Sequence, residues 1–502
     1  TLISMLFYFI FNIIKNEISI ILLRKIDFTL SSDFFKKLVK LPYSFFSSRQ
    51  SGDLLYRFSN LRAIRTVLSD NIMKFLLDMM LTLVIFGYML YKSLVMSLIL
   101  LGFICIIYSF ILILRPWIHE ANRQELNQDT KLFSYQNEIT QGILDIKIAG
   151  HEKNSITHWT KLYFNFIKSF KHKERVVGIM ESITSSFTFF IPIFILLFGV
   201  IAINKNSLTL GEVIAFQTLS SYFVSTSTSI IYSIEAFFQM KVYLRRVKDI
   251  TDESTEQNLE SGKCITLDGE IKLENVSFKY SRFSEPILKN INMHIKKGKK
   301  IGIVGESGAG KSTLANIIMG LYTPSQGILK YNGIDLNNLN KSNLRNQIGV
   351  VTQDPFLFSD SIFENIKFNN KVSQSQIVEA CKIAQIHEDI MKMPMGYNTI
   401  LSENGGNLSG GQKQRLSIAR AIAKKPSIII FDEATNSLDT IKEKAIEEYL
   451  SSIKCTRIII AHRLSSIINS DKIFILDKGS VIGEGSHDFL IRNNSKYKEL
   501  FN

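Results

Sequence analysis

Three long stretches without a charged side chain constrain the fold of this 502-residue chain more than any other feature. Leu94–Leu114, Ser182–Asn204 and Val213–Ile234 contain no Asp, Glu, Lys or Arg. A mostly apolar helix of about 20 residues is long enough to cross the hydrocarbon core of a bilayer. Such a helix also satisfies its backbone hydrogen bonds within one segment, which lipid requires. We therefore predict a membrane-spanning helix in each stretch.

Two further stretches qualify as spans although each contains a few charges. Ile72–Tyr91 carries Lys74 and Asp78 near one end, and Leu2–Leu23 is interrupted by two charged residues. Both are otherwise apolar over the length that a spanning helix needs. The sequence therefore predicts five membrane-spanning helices, all in its N-terminal half.

The segments between the spans predict their orientation. Tyr91–Ser93 and Asn204–Ser207 are very short turns, whereas Arg24–Arg65 and Arg115–Arg175 are long. The first long segment holds nine Lys and Arg residues against three Asp residues. Because cytoplasmic loops carry an excess of Lys and Arg, the long segments are predicted to be cytoplasmic and the short turns external. The C-terminal half follows the last span and is expected in the cytoplasm.

This topology leads to an expectation about the start of the chain. Five crossings that end in the cytoplasm place residue 1 outside, yet the N-terminus has no initiator Met, basic region or cleavage site to carry it there. We expect that at least one preceding span, the first of six, is absent from this chain. The alternative is a protein with five spans and an external terminus.

The charge and cysteine content exclude some other classes of function. The formal net charge is +14, but the basic residues lie between apolar spans, which is typical of a multi-pass membrane protein and does not indicate a nucleic-acid partner. The four cysteines form no Cys-x-x-Cys or Cys/His spacing, so neither a disulfide framework nor a zinc site is predicted. These cysteines are Cys105, Cys264, Cys381 and Cys455.

A polar linker at 251–268, rich in Glu, Ser and Thr, separates two different patterns. Residues 1–250 are predicted to form the membrane domain, and 269–502 a soluble domain in which short apolar strands alternate with helices. Such alternation is typical of an α/β fold.

A glycine-rich loop in the soluble domain has the pattern that binds nucleotide phosphates. The buried strand Ile301–Val304 leads into this loop, and a helix is predicted at Leu314–Met319. Its glycines allow consecutive backbone N–H groups to face phosphate oxygens, and the helix N-terminus adds partial positive charge. Lys311 is expected to bridge the β- and γ-phosphates, and the Ser312 hydroxyl to ligate Mg²⁺. The loop residues are Gly305, Glu306, Ser307, Gly308, Ala309, Gly310, Lys311, Ser312 and Thr313.

A second apolar strand, Ile428–Phe431, ends in a pair of carboxylates. Asp432 is predicted to hold Mg²⁺ through water, and Glu433 to orient or deprotonate the attacking water. An apolar run that ends in Asp-Glu is a weak signal alone, but it follows the phosphate loop here. Together the two motifs predict ATP hydrolysis.

Between these motifs, Leu408–Gln412 reads Leu-Ser-Gly-Gly-Gln, and there the chain resembles the ABC transporter ATPases over its whole length. The resemblance implies an ABC exporter half-transporter: an α-helical transmembrane domain with five of six helices present, then an α/β P-loop ATPase domain. The motif opens a helix predicted at Lys413–Ala423, whose N-terminus in the family faces the γ-phosphate held by the other subunit. This role falls to Ser409, Gly410, Gly411 and Gln412.

The resemblance also implies roles for three single residues. Tyr280 is similar to the aromatic residue that stacks on adenine. Gln353 is similar to the residue that senses Mg²⁺ and the membrane domain, and His462 to the switch histidine that contacts the γ-phosphate. Two loops depart from the family pattern: Asn436-Ser437 stands where Ser-Ala is usual, and Ser402–Gly406 lacks the arginine of the exporter loop.

The family mechanism implies the cofactors and partners. ATP and Mg²⁺ are expected in the ATPase domain, which is cytoplasmic beside a multi-pass domain in the cell membrane. A second half-transporter is expected because the signature segment faces the nucleotide of the other subunit, and since no essential residue is replaced we predict a homodimer. Membrane lipid and an exported solute complete the expected partners.

The stretch from Leu41 to Leu68 is similar to peptidase-containing bacteriocin and lanthipeptide exporters, which implies export of a peptide of that kind. No Cys precedes Cys105, so no peptidase activity is predicted. A multidrug or lipid exporter is the alternative. The hydroxyl residues of Val213–Ile234 form either a polar wall of the transport path or helix-packing contacts. A soluble ABC ATPase conflicts with the uncharged spans, and an ATP-gated channel is a third hypothesis.

Overall fold

The computed structural model describes residues 2–49, 51–204, 208–281, 283–368, 372–432, 440–453, 455–461 and 463–501. The chain divides into two compact units. The first consists of residues 1–41 and 45–253, and the second of residues 42–44 and 254–502.

The first unit is built mainly from long helices, with two short helices between them, the first of which, Tyr43–Ser47, begins in the segment 42–44 that belongs to the second unit. Ser93 caps the fourth helix by accepting a hydrogen bond from the N–H of Met96, and Thr209 and Glu212 form a reciprocal capping box at the seventh. The helices are α1 (Leu2–Val39), α2 (Tyr43–Ser47), α3 (Ser51–Lys92), α4 (Leu94–Gln141), α5 (Ile143–Ala149), α6 (Glu152–Asn204) and α7 (Leu210–Thr251).

Four helices in the described part of the chain are long and apolar enough to cross a membrane: Met5–Val39, Gly52–Lys92, Leu94–Gln141 and Glu152–Asn204. They contain three of the five predicted spans and most of a fourth, Leu2–Leu23. The fifth, Val213–Ile234, lies within α7, which is equally continuous but less apolar because its sequence is rich in Ser and Thr.

The core of the first unit is apolar, and so is much of its surface. Leu100 and Ile107 of α4 are fully buried in one cluster with Ile195 of α6. Large apolar side chains such as Phe189 and Leu197 point outwards and are more than half exposed. An apolar exterior of this extent is the property expected of helices that face lipid.

The hydroxyl groups of α7 are used in two ways. Ser220 and Thr228 are buried and donate to carbonyl oxygens of their own helix. Ser229 and Thr226 instead bond across to α3, where Ser229 contacts Asp78 at 2.5 Å. Several of the hydroxyls therefore serve helix packing within one chain, and others remain exposed, such as Thr218.

The second unit contains two sheets. Four antiparallel strands have the order β2-β1-β4-β5, and six strands have the order β10-β9-β3-β8-β7-β6, in which β9, β3, β8, β7 and β6 run parallel. The strands are β1 (Ile271–Phe278), β2 (Leu288–Ile295), β3 (Lys300–Val304), β4 (Gln326–Tyr331), β5 (Ile334–Asp335), β6 (Ile348–Val351), β7 (Ile428–Asp432), β8 (Thr456–Ile460), β9 (Lys472–Asp477) and β10 (Ser480–Gly485).

Helices cover the six-stranded sheet, and short 3₁₀ turns lie at Leu336–Asn338, Gly396–Asn398 and Glu403–Gly405. The parallel strands read as nearly continuous apolar runs, as expected for strands buried on both faces. The helices are α8 (Lys311–Ile318), α9 (Lys341–Asn346), α10 (Ile362–Lys367), α11 (Gln374–Ile383), α12 (His387–Met391), α13 (Gly410–Ala423), α14 (Thr440–Ser452), α15 (Leu464–Ile467), α16 (His487–Asn493) and α17 (Ser495–Phe501).

Candidate functional site

The phosphate loop connects the carboxyl end of β3 to the N-terminus of α8 and curls as its glycines require. Gly308 and Gly310 have φ of +81° and +99°, a region that favours glycine. A Cβ on Gly305 would lie 2.1 Å from the carbonyl oxygen of Leu476, so a side chain cannot fit there. The loop therefore presents its backbone N–H groups together with the positive end of the α8 dipole.

The Lys311 ammonium is folded over this loop. Its side chain is 6% exposed, and Nζ donates to the carbonyl oxygens of Gly305 at 2.7 Å and Glu306 at 2.9 Å. These carbonyls solvate a buried cation that would otherwise be costly to hold. The positive charge of Lys311 therefore lies where phosphate oxygens would bind.

The predicted Mg²⁺ ligands lie at one edge of the six-stranded sheet. Parallel strands end at the same edge, where ligands of α/β sheets bind. Asp432 pairs with Ile460, which in turn pairs with Ile303 of β3, so Asp432 is two strands from the loop, at about 10 Å. Gln353 is exposed two residues beyond β6, and Ser312 is exposed in the first turn of α8.

Two predicted catalytic residues, Glu433 and His462, lie outside the described residues, and so does the Asn436-Ser437 pair. The strands before the two catalytic residues are described. β7 ends at Asp432 and β8 ends at Ile460, both at the edge that carries the phosphate loop.

Tyr280 follows β1 and lies beside the start of α8. Its hydroxyl is 2.9 Å from the Thr313 hydroxyl, and its ring meets Phe278 and Tyr322 edge-on. The side chain is nevertheless 54% exposed. An aromatic ring that is held by its neighbours and still exposed can stack on a planar base.

The Leu-Ser-Gly-Gly-Gln segment forms a capped helix N-terminus. Ser409 is the N-cap of α13, and the side chains of Ser409 and Gln412 each accept a hydrogen bond from the other residue's backbone N–H. Ser409 and Gly410 are exposed, and a Cβ on Gly410 would meet nothing within 4 Å. This dipole end is therefore accessible to an anion from outside the chain.

The rest of α13 is anchored in a different core from the phosphate loop. Leu416 and Ile418 are fully buried in an apolar cluster formed largely by α10, α11 and α13. Ala309 and Leu314, in the loop and α8, belong to the cluster that joins the two sheets. The two phosphate-facing helix termini are thus carried by separate parts of the second unit.

Sequence reasoning did not find the contacts that support the loop from the C-terminal region. Glu306 pairs with Lys496 of α17 at 2.6 Å, and the Gly479 N–H donates to the carbonyl oxygen of Ala309 at 3.2 Å. Lys496, with a smaller effect of Lys478, holds the pKa of the Glu306 carboxyl below its usual value. The turn at Lys478-Gly479 is readable from sequence, but nothing local indicates its contact with the loop.

The chain is similar to known proteins over both of its domains. Residues 288–436 match the ABC transporter model, and residues 2–227 match that of the ABC transporter transmembrane region. The chain is 33% identical over 477 residues to the leukotoxin export ATP-binding protein LtxB of Aggregatibacter actinomycetemcomitans, covering 93% of this chain and 67% of that protein. Identity to the leukotoxin translocation ATP-binding protein LktB of Mannheimia glucosida is 32% over 475 residues, with 94% and 67% covered.

A solved structure gives a similar result for the fold. A bacterial Atm1-family ABC exporter with ATP bound superposes with a TM-score of 0.87 at 25% identity, covering 98% of this chain and 87% of that one. This chain therefore belongs to the ABC transporter family, as an exporter half-transporter in which a membrane-spanning helical domain is fused to a cytoplasmic domain that hydrolyses ATP to drive transport.

Proposed function

We propose that two copies of this chain form a homodimeric pump that exports a polypeptide across the cytoplasmic membrane. In each of its two sites, ATP binds to the phosphate loop of one copy and is enclosed by Ser409–Gln412 of the other. The exposed, capped N-terminus of α13 carries this proposal, because a helix dipole end with two small exposed residues suits an anion supplied by a partner.

The loop and α8 hold the nucleotide in this scheme. Backbone N–H groups of Gly308–Thr313 would donate to phosphate oxygens, and Lys311 would exchange its loop carbonyls for the β- and γ-phosphates. Tyr280 would stack on the adenine ring. Binding of ATP would then draw the signature segment of the second copy onto the γ-phosphate.

The residues at the sheet edge fit a Mg²⁺ ion, which prefers oxygen ligands. The Ser312 hydroxyl, the Asp432 carboxylate and the Gln353 amide oxygen would hold it. Asp432 ends β7, Gln353 follows β6 by two residues, and Ser312 lies in the first turn of α8. When bound, Mg²⁺ would neutralise charge that develops on the phosphates.

Hydrolysis is assigned to the residue that follows β7 in sequence and to the second residue after β8. Glu433 follows Asp432 and would orient or deprotonate the attacking water. His462 would contact the γ-phosphate and report its loss. After cleavage, two anionic products lie between the copies, and their repulsion would reopen the dimer.

For the cargo we propose a toxin-like polypeptide, and more narrowly a bacteriocin- or lanthipeptide-like peptide. The relatives named for leukotoxin export favour this class over a drug or lipid, since they are 33% and 32% identical over most of the chain. The similarity of Leu41–Leu68 to bacteriocin exporters favours it further.

Mixing two inactive variants tests the shared site. Lys311→Ala disables the phosphate loop, and Ser409→Arg blocks the signature segment. If each site uses both copies, a co-expressed mixture contains heterodimers with one intact site and regains about a quarter of the parent ATPase rate when the sites act independently. Sites confined to one copy would leave the mixture as inactive as either variant alone.

A second experiment tests the cargo. Polypeptides that carry a double-glycine leader should stimulate the ATPase of the purified protein in lipid vesicles. Stimulation by lipophilic drugs alone would instead identify a multidrug exporter.

A further inference from the structure

A cavity of about 300 Å³ lies among the helices of the first unit. Residues of α3, α4, α6 and α7 line it, and most of them are polar. The volume is at the small end of the range for ligand pockets, about 300–1,000 Å³. The lining residues that carry the argument are Tyr56, Asn60, Glu125, Asp129 and Lys173.

The cavity lies on the cytoplasmic side of the predicted spans. Asn60 precedes Ile72 by about three helical turns, and Asp129 follows Leu114 by about four. At about 1.5 Å of rise per residue, both lie about 20 Å beyond the apolar stretches. The helices α3 and α4 continue unbroken through this region, so the cavity is lined by rigid elements. A cargo that arrives from the cytoplasm would reach this part of the helices before it reaches the membrane.

Asn60 gives the cavity a hydrogen-bond donor without a partner. Its side chain is 3% exposed, and Nδ2 makes no hydrogen bond to the described residues. Buried amides are nearly always satisfied, so an orphan donor in a polar cavity points to an acceptor supplied by a ligand. A carbonyl oxygen of a peptide is such an acceptor.

The charges around the cavity leave one carboxylate without a cationic partner among the described residues. Lys173 is engaged by Glu125 at 3.1 Å and by Glu174 at 3.3 Å. Asp129 instead receives the neutral hydroxyl of Tyr56 at 2.6 Å. The nearby Arg246 directs its guanidinium to two other residues, the Thr130 hydroxyl at 2.6 Å and the Asn127 amide oxygen at 2.7 Å.

We propose that this cavity binds a lysine or arginine side chain of a polypeptide cargo together with an adjacent backbone carbonyl. Asp129 would pair with the cationic group, and Asn60 would donate to the carbonyl. The same cationic group could come from a free small amine. A free amine lacks the carbonyl, so a comparison of the two ligands distinguishes a peptide from an amine. The inference rests on the proposed polypeptide export and names the feature of the cargo that is recognised.

The test measures binding without nucleotide, so it does not depend on ATP hydrolysis. Equilibrium dialysis compares N-acetyl-Gly-Lys-Gly amide, its Gln counterpart and n-butylamine on the full chain in lipid nanodiscs. The isosteric change Asp129→Asn should weaken the Lys peptide about tenfold and leave the Gln peptide unchanged. Asn60→Leu should weaken both peptides by a similar factor and leave n-butylamine unaffected.

The matched control is Glu120→Gln, which removes one exposed carboxylate from the same helix as Asp129 at a position outside the cavity. Its affinities should equal those of the parent. Equal losses in Glu120→Gln and Asp129→Asn would overturn the site, because they would indicate a general charge effect. n-Butylamine that binds as tightly as the Lys peptide would overturn the cargo assignment.

Failure of this site can be told apart from failure of the export proposal. Stimulation of the ATPase by a polypeptide, with unchanged peptide binding in Asp129→Asn, would reject the cavity and keep polypeptide export. Loss of peptide binding in Asp129→Asn supports the cavity whatever the rate of hydrolysis.

Discussion

Glu306 and Lys496 join the phosphate loop to the last helix of the chain, with Oε1 and Nζ 2.6 Å apart. The neighbouring Tyr497 is fully buried and bonds to His487 at 3.0 Å, which fixes α17 against α16. A side chain from an anchored helix therefore restrains a loop residue whose carbonyl oxygen also accepts a hydrogen bond from Lys311. We infer that Lys496 is a positioning residue for the nucleotide.

Lys496→Ala should raise the KM for ATP about two- to fivefold and leave kcat nearly unchanged, since an exposed ion pair has a modest effect. The pair holds the loop before the nucleotide arrives and takes no part in bond cleavage. Steady-state ATPase kinetics give both constants.

Two further variants separate this role from a general loss of charge. Lys498→Ala removes an exposed lysine from the same helix and should match the parent. The exchange Glu306→Lys with Lys496→Glu should recover most of the affinity. Equal KM values in Lys496→Ala and Lys498→Ala would contradict the assignment.

The pH dependence of this pair can be predicted from its pKa shifts. The Glu306 pKa is lowered, chiefly by Lys496, and the Lys496 pKa is raised, chiefly by Glu306. The Glu306 carboxylate stabilises the ion pair above its ordinary pKa, and this stabilisation is lost as pH falls through the lowered pKa. The Lys496 ammonium stabilises the pair at low and neutral pH, and this stabilisation is lost only as pH rises through the raised pKa. The KM ratio of Lys496→Ala to parent should therefore stay constant from about pH 6 to 9. A ratio that changes within this window would implicate another group.

Gly410→Ala tests whether the signature helix meets a partner. The added Cβ has open space within the chain, so the thermal unfolding midpoint and ATP binding should match those of the parent. ATPase activity should nevertheless fall at least about tenfold, because the methyl group would stand between the helix terminus and the γ-phosphate held by the second copy. Gly305→Ala is the contrasting variant, since its Cβ would collide with Leu476 and ATP binding itself should be lost. Full activity in Gly410→Ala would argue against the head-to-tail arrangement.

Lys424 is a partly buried cation, and the free-energy cost of its burial can be measured. Burial lowers its pKa to about 8, and Nζ donates to the carbonyl oxygen of Arg345 at 3.2 Å. Between about pH 8 and 10.4 the unfolded chain binds more protons at this position, so the free energy of unfolding rises with pH in that window. Lys424→Met should stabilise the protein by about 1 kcal/mol at pH 7, allowing for solvent screening, and remove part of this rise.

The control for Lys424→Met is Lys382→Met. Lys382 is an exposed lysine in the last turn of α11, and Lys424 is the C-cap residue of α13. Lys382→Met removes the same charge near a helix C-terminus, but it does not remove the free-energy cost of a buried ammonium group. Thermal unfolding of the full protein at about pH 7 and about pH 9.5 compares the two variants on either side of the lowered pKa. A destabilised Lys424→Met would show that the hydrogen bond outweighs the cost of burial.

Glu433→Gln should stop hydrolysis and preserve ATP binding, because the amide cannot deprotonate water yet keeps the shape of the side chain. The closed dimer should accumulate with ATP, detectable by cross-linking of the two copies. Asp432→Asn should instead weaken Mg²⁺ binding, so that half-maximal ATPase activity requires a higher Mg²⁺ concentration. Unchanged turnover in Glu433→Gln would remove this residue from the catalytic role.

The parts of the site that follow from sequence are those coded by neighbouring residues. Strand Ile301–Val304 and the glycine loop are contiguous, so the order of strand, loop and helix around Lys311 could be predicted. Even there the helix starts at Lys311 instead of Leu314, because the backbone turns helical immediately after Gly310. The signature helix likewise begins at Gly410 and not at Lys413, since Ser409 caps it.

Contacts between distant parts of the chain could not be predicted. Glu306 and Lys496 lie near opposite ends of the ATPase domain in sequence, and neither has a local signature. The cavity beside Asn60 is formed by four helices that extend well beyond the apolar stretches. Hydropathy predicts where a membrane-spanning stretch ends, but it does not predict how the helices pack beyond that point. From sequence alone, polar residues in such extensions are predicted to face solvent, and only the packing of the helices shows that some of them line a cavity.

Tyr280 provides a separate test of how the base is held, because its ring and its hydroxyl have different contacts. Tyr280→Phe loses the 2.9 Å bond to Thr313 but keeps the ring packed edge-on against Phe278, so ATP affinity should change less than about twofold. Tyr280→Ala removes the stacking surface and should weaken ATP binding about tenfold, since stacking of a base on an aromatic ring contributes about 1–3 kcal/mol. Titration with a fluorescent ATP analogue measures both affinities. If Tyr280→Phe and Tyr280→Ala weaken ATP binding equally, the nucleotide site depends on the hydroxyl of Tyr280 and not on its ring.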